Sequence, residues 1–476
     1  MKNNGDMVAL KDRWNRTIDL VVYGKVNYTG KGWNGTAIPN VSQGELLKRR
    51  FKNNIPVDTN TSHDWRQNRR YGVGQSDFVP TAFNVKGVFA AFVSPDCGFD
   101  VLSNELKKTN ETLFLNVYEI SNPVLGKTLE KLLHKGVVVK ILVEGNPVGG
   151  MTVEEKRLLQ NLEKQGAKVY VMTLSEEGYR RYGFNHAKYA VIDNETLVIG
   201  SGNWDNMGFP TNGFSGNREW EIVVKNKTLV EYFTKVFFED CDPHRSDILS
   251  FDDFCEKPLP CNIQQDTSFV SYEKHFKPLY ITANATIIPV LSPDSSREIL
   301  INLINSARKT IYIEQLYIHL SWGNKINPLI PPLVNASRRG VDVRVILNCN
   351  PEYDNTDNLE TKEYLEYYGV NVCLLSPSQL NFFNIHTKGV IVDNESVLVS
   401  SINWNEQSID KNREAGVVIV NPDLAEYYAK VFFYDWYSNV QRNKEDDLQG
   451  YKNQVFILTL FIIVSLLIIR DWKRRW

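Results

Sequence analysis

The sequence has no surplus of charge of either sign. Lys and Arg total 54 against 56 for Asp and Glu, which gives a formal net charge of −2 over 476 residues. This balance provides no overall argument for nucleic-acid binding, although it is compatible with a local basic cleft. With 42% hydrophobic residues, the chain is globular and long enough for two or three domains.

The sequence also lacks the paired cysteines of a zinc site. Its six cysteines include no Cys-x-x-Cys pair, and Cys241, Cys255 and Cys261 cluster without that spacing. The sequence cannot choose among the possible disulfide pairings. Disulfides and buried free thiols therefore both stay open.

Charge is absent from residues 455–469, an apolar run that is followed by a basic end. We expect a transmembrane helix over 453–470 and a basic tail over 471–476, rather than a buried core helix. By the positive-inside rule the tail stays in the cytoplasm, and the rest of the chain lies outside the cell membrane. A high density of Asn-x-Ser/Thr sequons favours this placement. Because no export signal follows Met1, either the start is truncated or the topology is reversed.

A four-residue pattern occurs twice. In each copy a Lys follows a His by two residues, an Asp by seven and an Asn by seventeen, and the members are His186, Lys188, Asp193 and Asn203, then His386, Lys388, Asp393 and Asn403. A lone histidine of this kind is more often structural than functional. Two copies with one spacing, set 200 residues apart, indicate a duplicated functional unit.

The surrounding sequence repeats as well, which predicts the fold class. Apolar strands alternate with helical patterns such as Asn122–Lys135 and Pro328–Arg339. We expect an α/β fold with two pseudo-twofold-related halves, each a mixed or mostly parallel sheet flanked by helices. The predicted divisions are a partial β-sandwich over 1–66, halves over 80–240 and 283–442, a connection over 241–282, and the transmembrane helix.

The spacing within each copy suggests an anion pocket. His and Lys two residues apart share one face of a strand. If Asp193 pairs with Thr196 across a two-residue turn, Asn203 lies opposite His186 and Ser201 opposite Lys188. The second copy places Asn403 and Ser401 in the same way. The lysines argue against a metal site, because an ammonium group is no ligand and repels a cation.

The remaining conspicuous residues suit supporting roles. Asp193 and Asp393 lie at turns with the opposite strand parity, so a structural role fits them better than direct chemistry. Asn217-Arg-Glu219 matches Asn412-Arg-Glu414, and a buried carboxylate near an imidazole fixes its tautomer. In the first half, five extra residues within Gly208–Gly216 separate the motif from this glutamate. Glu221 is therefore an alternative to Glu219 as the carboxylate that supports the imidazole.

The pattern His-x-Lys-x-x-x-x-Asp, followed by Gly/Ser-Ser-x-Asn and present twice over residues 85–440, resembles the phospholipase D superfamily. The resemblance implies one active site between the halves and a phosphohistidine intermediate, with no metal and no cofactor. One of His186 and His386 attacks phosphorus and the other protonates the leaving oxygen, in an order that the resemblance leaves open. The expected phosphate-binding residues are Lys188, Lys388, Asn203, Asn403, Ser201 and Ser401, and the expected supporting residues are Asp193, Asp393, Glu219 and Glu414. Ser400 in place of Gly200 departs mildly from the pattern.

A second resemblance concerns the start of the chain. The stretches Ile18–Gly24 and Asp58–Trp65 are similar to the later strands of a lamin-tail-type β domain. The first part of such a domain is missing, which again suggests a truncated start. In several extracellular nucleases such a domain is an accessory binding module.

We therefore predict a membrane-anchored phosphodiesterase or phosphatidyltransferase that hydrolyses phospholipid or transfers a phosphatidyl group as cardiolipin synthases do. The alternative is a metal-independent nuclease of the same superfamily that acts on extracellular nucleic acid. A non-enzymatic scaffold fits two intact patterns poorly. The expected partners are a phosphodiester substrate and a lipid bilayer, which the C-terminal helix enters, and the expected state is a monomer.

Overall fold

A computed structural model describes residues 4–39, 45–52, 55–70, 74–174, 179–211, 213–255 and 270–438. The N-terminal strands are β1 (Gly5–Lys11), β2 (Thr17–Gly24), β3 (Glu45–Arg49), β4 (Phe51–Lys52), β5 (Ile55–Pro56) and β6 (Trp65–Arg70). They pair antiparallel as β1 with β2, β3 with β6 and β4 with β5. A small cluster of Leu20, Val22, Trp33 and Ile38 packs among them. The resemblance to a lamin-tail domain stays a prediction.

The first half alternates strands and helices as the sequence predicts. Its elements are β7 (Phe83–Ser94), α1 (Gly98–Lys107), β8 (Thr112–Val117), α2 (Pro123–His134), β9 (Val138–Glu144), α3 (Val153–Lys164), β10 (Lys168–Met172), β11 (Tyr189–Ile192), β12 (Thr196–Gly200), β13 (Glu219–Lys225) and α4 (Lys227–Asp240). Asn122 caps α2, because its side chain accepts hydrogen bonds from the backbone N–H groups of Val124 and Leu125. A short connection holds β14 (Ile248–Ser250) and α5 (Phe251–Phe254).

The second half repeats this order. Its elements are β15 (Leu279–Ser292), α6 (Ser296–Ser306), β16 (Thr310–Gln315), β17 (Ser321–Trp322), β18 (Lys325–Ile326), α7 (Ile330–Arg338), β19 (Asp342–Asn348), α8 (Thr356–Tyr367), β20 (Asn371–Leu375), β21 (Lys388–Val392), β22 (Ser396–Ser400), α9 (Glu406–Asp410) and β23 (Glu414–Val420). A last helix, α10, covers residues 422–438.

The halves share one continuous sheet, which corrects the predicted fold class. The described strands form a 15-stranded sheet in the order β14-β10-β9-β8-β11-β12-β13-β7-β15-β23-β22-β21-β16-β19-β20. Parallel pairing is confined to β8, β9 and β10 and to β16, β19 and β20, and the other pairs are antiparallel. Of the two forms that the sequence predicts for each half, the mixed sheet is confirmed and the mostly parallel sheet is wrong, because each motif forms a hairpin and the long strands β7 and β15 pair antiparallel across the junction.

The predicted fold class also includes a membrane-spanning helix, which the described residues do not show. Within the described ranges, no helix combines the length and apolar character that crossing a bilayer requires. The predicted segment 453–470 and the basic tail lie outside the described residues. Of the cysteines that the structure describes, Cys97, Cys241, Cys255, Cys349 and Cys373 are free thiols.

Three buried clusters hold the sheet and its helices together. One lies under the first-half helices and one under the second-half helices. The third covers the opposite face of the sheet and spans both halves, with Trp220, Phe233, Tyr428 and Phe432 among its fully buried members. Because this cluster contains residues of α4 and of α10, the halves are packed as one unit.

Two fully buried arginines connect the halves by charge. The Arg218 guanidinium contacts Asp96 at 2.6 Å and Asp435 at 2.8 Å. Arg413 contacts Asp240 at 3.0 Å and Asp294 at 3.1 Å. Each arginine also donates a hydrogen bond to a backbone carbonyl at the end of a central strand, Ser94 for Arg218 and Ser292 for Arg413. Every charge in these networks therefore has a partner, as buried charges require.

We expect Arg218→Ala to lower the free energy of unfolding by about 3–5 kcal/mol, because Asp96 and Asp435 lose their shared counter-charge inside the protein. Urea denaturation followed by tryptophan fluorescence measures the change. Arg308→Ala is the control, since Arg308 is exposed and its loss should change stability by no more than about 0.5 kcal/mol. Equal midpoints for the two variants would contradict the role of the network.

Candidate active site between the halves

The two motif histidines lie where the halves meet. Each follows a short extended segment that pairs with the other half, Asn185 with Arg413 and Ile385 with Arg218. The His186 N–H donates to the Arg413 carbonyl at 2.8 Å, and the His386 N–H donates to the Arg218 carbonyl at 3.0 Å. The side chains are only 13% and 14% exposed. Both imidazoles are therefore fixed by backbone contacts from the opposite half.

Each imidazole also contacts a carboxylate of the opposite half. His186 Nδ1 lies 2.7 Å from Glu414 Oε2, and His386 Nδ1 lies 2.6 Å from Glu219 Oε1. This contact occupies Nδ1, so Nε2 is the nitrogen left for chemistry on each ring. The sequence indicated both glutamates but not the exchange between halves. Glu221 lies elsewhere, since its Oε1 accepts from the Gly202 N–H at 2.7 Å.

Both glutamates are held ionised inside the protein. Burial raises the pKa of Glu219, but the charge and the hydrogen bond of His386 outweigh burial and bring the pKa below its ordinary value. His186 has the same effect on the pKa of Glu414. Burial lowers the pKa of His186 to about 4 and also lowers that of His386, and the glutamate on each Nδ1 opposes this shift. The fixed anion also orients the ring.

The two serines support these carboxylates. The Ser201 hydroxyl donates to Glu219 Oε2 at 2.6 Å and accepts from the Trp220 N–H at 3.0 Å. The Ser401 hydroxyl donates to Glu414 Oε2 at 2.6 Å and accepts from the Ala415 N–H at 3.1 Å. Each hydroxyl proton is therefore engaged by a carboxylate, and contact of these serines with phosphate stays a prediction.

The two lysines lie beside the histidines and are nearly or fully buried. The Lys188 ammonium donates to the backbone carbonyl of His186 at 2.8 Å, and Lys388 makes the same contact with His386. Burial lowers the pKa of Lys188 to about 8 and that of Lys388 to about 7. An anion bound here would restore their charge.

Asn203 and Asn403 complete the set that the sequence predicted. The Oδ1 atom of each is buried and has no hydrogen-bond partner among the residues that the structure describes. An unmade hydrogen bond at a buried amide costs stability and is a feature of functional sites. The two amides are available to a ligand.

The turn aspartates bind backbone and do not contact the histidines. Asp193 accepts from the N–H groups of Asn110, Glu111 and Thr112 at 2.8–2.9 Å. Asp393 does the same for residues 308–310. Each aspartate therefore ties its hairpin to the start of the neighbouring strand.

The hairpin register differs by one residue from the prediction. Ile192 pairs with Thr196, and Gly389 pairs with Val399. The cause lies in the turn, where Asp193 and Asn194 both adopt positive φ of 51° and the Glu195 N–H donates to the Ile192 carbonyl at 3.0 Å. Shifting the register by one residue changes which side chains lie opposite each other. Ser201 therefore does not lie opposite Lys188, where Gly200 donates its N–H to the Lys188 carbonyl.

The exchange of Gly200 for Ser400 has a packing explanation. Gly200 lies opposite Glu221, and Ser400 lies opposite Gly416. A Cβ on Gly200 would lie 2.0 Å from Glu221 Oε2, and one on Gly416 would lie 2.3 Å from the Ser400 Cβ. Each half therefore has one small and one larger residue at this pair, in opposite order.

Sequence reasoning missed Tyr118, which directly follows β8. Its ring meets His186 edge-on with centroids 4.7 Å apart, and Lys188 Nζ lies 5.1 Å from its centroid. The position at the carboxyl end of a predicted strand was the available signal. Among the described residues, no group of three or more His, Cys, Asp or Glu side chains is arranged to hold a metal ion.

The chain is similar to several known proteins. A family model described as "Cardiolipin synthase, PLD-like domain" matches residues 102–241 and 300–436. A cardiolipin synthase of Listeria welshimeri is 24% identical over 367 residues, 73% of this chain and 68% of that protein. One of Clostridium perfringens is 22% identical over 353 residues, 71% and 68% of the two chains. The solved structure of a phosphatidylserine synthase of Haemophilus influenzae shares the fold, with a TM-score of 0.53 at 13% identity over 72% of this chain and 87% of that one.

Burial lowers the pKa of His386, and the charge and hydrogen bond of Glu219 oppose this shift. We expect Glu219→Gln to lower that pKa further and to shift the ring resonances of His386, because the opposing charge is lost. His186 should be unaffected, since its partner is Glu414. Nitrogen-15 NMR of histidine-labelled protein measures both rings, with assignments from His186→Ala and His386→Ala. Glu221→Gln is the matched control and should move neither ring. A shift of His186 in place of His386 would contradict the exchange between halves.

We expect sulfate binding near pH 7.5 to be accompanied by proton uptake. Burial lowers the pKa of Lys388 to about 7 and that of Lys188 to about 8. Both values rise when an anion binds beside the lysines, so a partly neutral amine takes up a proton. Calorimetry in two buffers of different ionisation enthalpy measures this uptake. It should disappear in Lys188→Met/Lys388→Met, and binding without proton uptake by the unmodified protein would exclude the lysines as the anion site.

Proposed function

We propose that this chain, which belongs to the phospholipase D-like family of cardiolipin synthases, transfers a phosphatidyl group from one alcohol to another at a lipid surface. It is an enzyme of the phospholipase D superfamily that acts on phosphodiester bonds. The exchanged His–Glu pairs, 2.7 Å and 2.6 Å long, carry the proposal. They give two equivalent imidazoles, each with a free Nε2 and an anion on Nδ1.

The two imidazoles suit a reaction in two displacements. In the first, Nε2 of one histidine attacks phosphorus and forms a P–N bond, while the bond to the head-group oxygen breaks. The other histidine gives its proton to that oxygen, and the head-group alcohol leaves. In the second displacement, the histidine that gave its proton takes the proton of an incoming alcohol or water. The oxygen of that alcohol or water attacks phosphorus as the P–N bond breaks. Glu219 and Glu414 stabilise the imidazolium at each stage.

The buried lysines and asparagines would bind the phosphoryl oxygens. Lys188 and Lys388 supply positive charge where negative charge develops in the transition state. Asn203 and Asn403 have amides whose Oδ1 atoms lack partners in the described part of the chain, and their N–H groups can donate to the same oxygens. Because the protein itself supplies the charge, we expect the reaction to proceed without a divalent cation.

The two halves of one chain complete this site, and we therefore propose that a monomer is active. The boundaries at 80–240, 241–282 and 283–442 follow the duplication and stay part of the proposal. The relatives are cardiolipin synthases and a phosphatidylserine synthase, and this similarity favours a phospholipid as substrate. A protein that acts on phospholipid has to associate with a lipid surface. Placement outside the cytoplasm stays a prediction from the sequons.

The test uses purified full-length protein with mixed phosphatidylglycerol and phosphatidylcholine vesicles. We expect phosphatidic acid and a phosphatidyl-alcohol or bis-phosphatidyl product, identified by mass spectrometry. His186→Ala and His386→Ala should each lower the rate by about a hundredfold to ten-thousandfold, since each removes a nucleophile or a general acid. His134→Ala is the matched control, because His134 is exposed at the end of α2.

Excess EDTA should leave the rate unchanged. Loss of activity in EDTA, or activity in both active-site variants, would overturn the mechanism. Cleavage of single-stranded DNA with no lipid product would instead identify the alternative, a nuclease.

A further inference from the structure

The two halves are unequal beside the catalytic histidines. Equivalent backbone bridges join Ile120 to Trp204 in the first half and Ile318 to Trp404 in the second. The residues flanking the first bridge are Glu119 and Asp205, and those flanking the second are Tyr317 and Asn405. The first half therefore carries two acids where the second carries a phenol and an amide.

The second-half pair is neutral and its contacts are internal. Asn405 Nδ2 donates to the Tyr317 hydroxyl at 3.2 Å, and Asn405 Oδ1 accepts from the Ser408 N–H at 2.7 Å. No part of this arrangement needs a ligand.

The first-half pair consists of two carboxylates, Glu119 and Asp205, and the charge of Glu119 acts on Asp205. Each carboxylate has an oxygen with unused acceptor capacity. Glu119 Oε1 accepts from Ser121 at 3.2 Å, and Asp205 Oδ1 accepts from the N–H groups of Met207 and Gly208. No hydrogen bond among the described residues engages Glu119 Oε2 or Asp205 Oδ2. Both side chains are partly exposed, so a ligand can reach them.

A third acid lies behind this pair with an unused oxygen. Glu155 has no solvent exposure, and its Oε1 accepts from the Ile120 N–H at 2.9 Å. Its Oε2 is buried and has no partner in the described part of the chain. The equivalent residue of the second half is Asn358, whose Oδ1 accepts from the Ile318 N–H at 3.1 Å. At these three equivalent positions the acidic residues therefore occur in the first half alone, so the fold itself does not require them.

This acidic side borders the reacting groups. Glu119 follows Tyr118, whose ring lies 4.7 Å from that of His186, and Asp205 follows Asn203 by two residues. Burial raises the pKa of Asp205 to about 7, and the charge of Glu119 adds to this effect. Two like charges of this kind are stabilised by a ligand that donates hydrogen bonds or carries a positive charge.

We propose that Glu119 and Asp205 form the binding site for the head-group alcohol, and that they select alcohols with further hydrogen-bond donors, such as a polyol or an amino alcohol. The inference rests on the proposed phosphatidyl transfer.

The test measures how the phosphohistidine intermediate partitions between water and an added alcohol. Full-length protein is incubated with phosphatidylcholine vesicles and glycerol, ethanolamine or 1-propanol, and the ratio of phosphatidyl-alcohol to phosphatidic acid is recorded. Because both products come from one intermediate, the ratio does not depend on the folded fraction or on the first step. Glycerol and ethanolamine distinguish hydrogen bonding from charge attraction.

We expect the unmodified protein to prefer glycerol or ethanolamine to 1-propanol. In Glu119→Gln/Asp205→Asn this preference should fall about tenfold or more, through a higher KM for the alcohol, because charge-assisted hydrogen bonds are lost. Glu111→Gln removes one carboxylate beside Asp193, at the opposite strand end, and should leave the ratio unchanged.

An unmodified protein that treats 1-propanol and glycerol alike, or a double variant with the original preference, would overturn the inference while leaving phosphatidyl transfer intact. Absence of any lipid product from the unmodified protein would instead overturn the proposed function, and the subsite with it.

Discussion

The exchange of carboxylates between the halves is the contact on which the site depends. Glu219 of the first half holds His386 of the second, and Glu414 of the second holds His186 of the first. Each motif histidine therefore takes its carboxylate from the opposite half. The duplication is therefore a condition for the chemistry, since both histidines are oriented only when the halves are joined.

The same short segments that carry the glutamates also hold the halves together. Arg218 and Arg413 directly precede them, are fully buried, and each contacts two aspartates. Their carbonyls accept hydrogen bonds from the backbone N–H groups of the two histidines. Displacement of these segments would disturb the ion network, the junction and the active site together. Stability and catalytic geometry are thus coupled through a few residues of each half.

Duplication has not kept the halves identical, and the differences follow their surroundings. Gly200 and Ser400 differ because their partners, Glu221 and Gly416, differ in the opposite sense. The acids Glu119 and Asp205 have no such packing reason. They occur in only one half of a site whose reacting groups are otherwise symmetric. This difference between the halves is the basis of the head-group site that we propose.

The sequence by itself determined the duplication, the alternation of strands and helices, and the repeated motif residues, because identical spacing and apolar periodicity are local properties of the chain. Only the tertiary structure decided that the strands form one sheet, that Glu219 belongs to His386, and that Ser201 contacts a carboxylate. The hairpin register depended on positive φ at Asp193 and Asn194, which the residue types permit but do not require. The pairing across the halves depended on contacts between residues about 170 to 230 positions apart, for which no local pattern exists.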